Sequence, residues 1–147
     1  MTHDTLTDAE IRDLRVLAGL MIPASTRYDV PGADDELIFT DIVRSLERDT
    51  ADARTALRQL AELSGGAFAD LLPESRAEIA ARFEQEGGAP LFALNRVVLL
   101  CYYRDDRVMR SLGQEPRSPF PKGHVVEQGD WSLLDPVRKR PPIWRRV

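Results

Sequence analysis

Few side chains in this sequence have the type and spacing that chemistry requires. Cys101 is the only cysteine, set between Leu100 and Tyr102 with no histidine close by in sequence. One cysteine excludes an intramolecular disulfide, a four-cysteine zinc or iron–sulfur site and a CxxCH haem attachment. It is expected to be a buried structural thiol rather than a nucleophile. Histidine occurs twice, at His3 and His124, which excludes a His-rich metal site. His124 could act as a lone base, but no partner is visible in sequence, so it reads as a turn or interface residue. Asp34-Asp35-Glu36 could ligate a metal or share acid–base work. Adjacent helical residues diverge, however, and three acids suit the positive end of a helix dipole better. Ser64-Gly65-Gly66 lacks the GxSxG elbow and sits where a helix should end. Arg104-Asp105-Asp106-Arg107 resembles a charged active-site cluster. The simpler reading is a solvated helix start with local ion pairs worth well under about 1 kcal/mol each.

Phosphate chemistry is no better supported. Gly113, Gly123 and Gly129 are dispersed and follow no strand, so neither a dinucleotide fingerprint nor a P-loop is present. Arg138-Lys139-Arg140 and Arg145-Arg146, with Trp144 between them, could grip phosphates and stack on a base. A net charge of −4 makes the whole chain a poor nucleic-acid binder. Trp and Arg are also the residues most enriched at protein–protein hot spots, so an interface is the preferred reading.

The elements that would position these residues are helical. The 147 residues favour one domain, and 43% hydrophobic with 30% charged residues is ordinary for a globular chain. Thr7-Asp8-Ala9-Glu10 is a capping box opening a helix through Ile11, Leu14, Leu17, Ala18 and Met21, stopped by Pro23. A second helix is expected from about 33–35, with Leu37, Ile38, Ile42, Val43 and Leu46 as its apolar stripe. A third runs from about Thr50 to Leu63 with Ala53, Leu57, Leu60 and Ala61 on one face, ended by Gly65-Gly66. Phe68, Leu71 and Leu72 connect it to a fourth, opened by Pro73, carrying Ile79, Ala80 and Phe83, and closed by Gly87-Gly88. The fifth, Leu91 to about Tyr103, is apolar on nearly all sides and must be central to the core or covered by another chain. A short sixth, capped by Asp105 or Asp106, ends at Gly113. The expectation is an all-α, bundle-like domain of five to six helices over residues 1–113.

Residues 114–147 differ in character. They hold six of the ten prolines and both tryptophans, and their seven Lys/Arg against four Asp/Glu leave the rest of the chain at −7. Pro-rich composition blocks regular helix and ladder pairing. Yet Phe120, Val125, Val126, Trp131, Leu133, Leu134, Ile143 and Trp144 are too apolar for a solvated tail. An irregular, extended arm packed on a partner is expected. Tyr102, Tyr103, Phe120, Trp131, Leu134, Trp144 and Arg145 are the candidate partner-binding residues. No catalytic, cofactor-binding or metal-binding residue is assigned. The N-terminus shows no export signal, and runs such as 97–101 fall far short of the roughly 18 apolar residues that span a bilayer. A cytoplasmic chain without a membrane span is expected.

Two stretches carry a family resemblance. Leu17-Ala18-Gly19-Leu20-Met21-Ile22-Pro23-Ala24, followed by Val30-Pro31-Gly32-Ala33 and Phe39-Thr40-Asp41-Ile42, is similar to the opening of the gluconate 2-dehydrogenase subunit 3 family. The similarity continues through Phe68-Ala69-Asp70-Leu71-Leu72-Pro73 and Ala89-Pro90-Leu91-Phe92 to Tyr102-Tyr103, covering about residues 7–113. The resemblance implies a small helical subunit with no cofactor of its own, bound to a large FAD-dependent glucose–methanol–choline-type dehydrogenase. That family often adds a c-type cytochrome, whose haem is assembled outside the cytoplasm, so the missing export signal argues against a cytochrome partner here. The arm goes beyond the matched pattern and is expected to wrap the large subunit, with Trp131 and Trp144 as anchors. The alternatives are a stand-alone helical enzyme using Asp105, Arg107 or His124, and a nucleic-acid binder acting through 137–146.

Overall fold

A computed structural model describes residues 6–141 of the chain. They fold as an all-α protein, in the order α1 (Asp8–Met21), α2 (Glu36–Ser45), α3 (Thr50–Ser64), α4 (Pro73–Glu86), α5 (Gly88–Tyr103), α6 (Asp106–Ser111) and α7 (Asp135–Arg138). The chain divides into two compact units, residues 1–116 and 117–147.

Local chemistry starts and stops the helices of the first unit. The Thr7 hydroxyl accepts from the Glu10 amide at 3.2 Å while the Glu10 carboxylate accepts from the Thr7 amide at 2.7 Å, closing the capping box. Asp35 caps α2 by accepting from the Leu37 amide at 3.1 Å. Gly65 ends α3 in the left-handed region at φ 71°, which costs glycine least. Helix α5 begins at Gly88, earlier than the expected Leu91. Pro90 therefore lies in the first turn, where its missing N–H forfeits no helical bond.

The core runs along α5, whose inner face (Leu91, Leu94, Val97, Val98 and Cys101) packs chiefly on α3 and α2. Helices α1 and α4 complete it through Leu14, Leu17, Ala18 and Phe83. Helix α2 corrects the expected stripe: Phe39 is 5% exposed and Leu37 68%. The inward arc is thus Ile38, Phe39, Ile42 and Leu46, with the Arg15 guanidinium 5.3 Å over the Phe39 ring. On α3, Ala56 is buried and Ala61 only partly so.

The link between α3 and α4 is a 3-10 turn, Phe68–Asp70, held from several directions. Asp13, a buried carboxylate of α1, accepts from the Ala69 amide at 2.8 Å. Arg76 donates to the Ala69 carbonyl at 2.6 Å, and Arg12 pairs with Asp70 at 3.1 Å. These bonds satisfy a turn that drives Phe68 fully into the core.

The α4–α5 junction is tight. Gly87 has an ordinary φ of −69°, yet a Cβ there would lie 2.6 Å from the Leu91 Cβ and 2.8 Å from the Phe83 carbonyl oxygen. Neither atom can swing away. Gly87→Ala is expected to destabilise the protein by about 1–3 kcal/mol, as overpacking does. Gly129→Ala, with no atom within 4 Å, should be near neutral. Thermal denaturation of the two variants checks the difference.

The second unit is mostly irregular, but not throughout. Asp130 caps a 3-10 turn, Trp131–Leu134, accepting from the Ser132 amide at 3.0 Å, and α7 follows directly. Pro136 sits in the first turn of α7, the one helical position that tolerates proline, so the prolines did not abolish helix here.

Candidate functional site

The charged runs that looked like chemistry form structural ties. The Asp35 and Glu36 carboxylates diverge: Glu36 pairs with Arg15 at 2.9 Å, whose Nε also donates to the Asp34 main-chain carbonyl at 3.1 Å, and Asp35 turns to Arg107. Arg107 Nη2 reaches Asp35 Oδ1 at 2.6 Å, and its Nε reaches Asp105 Oδ1 at 3.0 Å. One guanidinium therefore bridges the capping carboxylates of α2 and α6. The expected local pairs are present, Arg107 with Asp105 and Asp106 with Arg110, but Arg104 and Arg107 also reach distant carboxylates. Hydrogen bonds from Arg107 hold the Asp35 and Asp105 carboxyls below the usual carboxylate range, more than offsetting their partial burial.

Arg104 turns the other way, to Asp41 at 2.6 Å through both Nε and Nη2, and to Ser45 Oγ. Its hydrogen bonds lower the Asp41 carboxyl likewise. Cys101, 1% exposed, lies below this pair, and burial pushes its thiol upward. A thiol held protonated in the core is not an activated nucleophile. Among the described residues no group of three or more His, Cys, Asp or Glu side chains could hold a metal ion. No helix there is long and apolar enough to cross a membrane.

The partner-binding candidates separate. Tyr102 is a correction: it is 5% exposed, its hydroxyl donates to the Pro31 carbonyl at 3.1 Å, and it belongs to the core. Tyr103 is 53% exposed and meets the Tyr102 ring edge-on. In the arm, Phe120, Trp131 and Leu134 are exposed, as is His124. Trp144 and Arg145 lie outside the described residues.

Sequence reasoning expected α5 to be central to the core or covered by another chain and named Tyr103, but not Phe92, Leu99 or Leu100, on its outer face. Phe92, Leu99, Leu100 and Tyr103 stand exposed there at one-, two- and three-turn spacing, around a shallow groove that Asn95, Arg96 and Arg104 complete. The available signal was Asn95-Arg96, the one polar pair inside α5, which marks the face turned away from the core. Residues one turn to either side share that face.

Compared with known proteins, the chain matches no family model, no curated protein and no solved structure. Fold and surface together still define a class: an all-α protein whose central helix buries one apolar face and displays another.

Proposed function

We propose that this chain is a non-catalytic docking subunit that binds and stabilises a large FAD-dependent sugar or alcohol oxidoreductase. The observation that carries the docking reading is the outer stripe of α5, since leaving two aromatic and two leucine side chains on one exposed helix face forgoes burial that a partner would supply. The flavoprotein identity of the partner is supported by the resemblance of 7–113 to the gluconate 2-dehydrogenase subunit 3 family. In this reading the flavin and the redox chemistry belong to the large subunit. The arm contributes Trp131, Leu134 and Phe120 as further contacts, with Trp144 and Arg145 beyond the described residues. Binding the folded large subunit and not its unfolded form stabilises it by linkage, more strongly as the small subunit exceeds the dissociation constant.

Affinity purification of the full chain from its host, with an absorbance spectrum and identification of co-purifying chains, tests this. The expected result is a chain several times larger with flavin bands near about 370 and 450 nm, which are properties of the cofactor. A colourless monomer with no partner would overturn it, and turnover by that monomer would point to a stand-alone enzyme.

A further inference from the structure

We draw no further inference here: the strongest candidate, the apolar cleft of about 340 Å³ between α1, α4 and α5, carries nothing, because nothing in the structure shows what fills it and the unpaired Asn95 Oδ1 in its wall is too buried to meet an occupant.

Discussion

Phe68→Ala is expected to lower the free energy of unfolding by about 3–5 kcal/mol, the cost of removing a fully buried aromatic ring and leaving a cavity. That is a large share of the roughly 5–15 kcal/mol that holds a typical domain together. The upper part of the range is expected because the site cannot easily collapse. Its backbone is held by Asp13 on the Ala69 amide and Arg76 on the Ala69 carbonyl, with the Arg12–Asp70 pair beside them. The control is the same substitution at Phe92, which is 72% exposed, and Phe92→Ala should stay within about 0.5 kcal/mol. Urea denaturation of both variants measures the contrast. A cost below about 1.5 kcal/mol for Phe68→Ala would show that the ring is not a core residue.

Arg107→Met should lower stability by about 1–2 kcal/mol near neutral pH, and the difference from wild type should vanish in acid. The magnitude is that of charge-assisted hydrogen bonds, reduced because the Arg107 side chain is 39% exposed. The pH dependence follows from Asp35 and Asp105, whose carboxyls are held low first of all by Arg107. A carboxyl with a depressed pKa in the folded state binds its proton later than in the unfolded chain. Its contribution is therefore complete above the ordinary carboxylate value, near 4, and is lost as pH falls through the folded value. Wild type should lose stability steeply from about pH 4 downward, and Arg107→Met less steeply. Asp41, held low by Arg104, leaves some acid sensitivity in the variant. Melting temperatures between pH 7 and 2 decide it, and two parallel curves would refute the role given to Arg107.

Much of the first unit is legible along the sequence. The Thr7–Glu10 capping box, the Asp35 and Asp105 caps, Pro73 at a helix start and Gly65 at a helix end each act through atoms within about four residues, so neighbours in the chain suffice to read them. The buried role of Cys101 was equally plain, because an unpartnered thiol in an apolar run has no activating charge. On α2 the spacing also held the answer: Leu37 and Phe39 lie about 200° apart, and Phe39, not Leu37, shares the arc of Ile38, Ile42 and Leu46. Other features depend on residues far apart. Arg107 meets Asp35 from 72 positions away and Arg104 meets Asp41 from 63, and nothing in Arg104-Asp105-Asp106-Arg107 shows that both guanidiniums cross to α2 and its cap.

The same limit applies to α5. Its composition requires burial on at least one side, and that much is local chemistry: an apolar helix in water is driven to cover itself. Which side is covered is a matter of area and geometry. Helices α2 and α3 fill the face of Leu94, Val97, Val98 and Cys101, and leave Phe92, Leu99, Leu100 and Tyr103 exposed. Caps and breaks are written residue by residue because their forces are short-ranged. The free face exists only as the remainder after packing, so it had to await the tertiary structure.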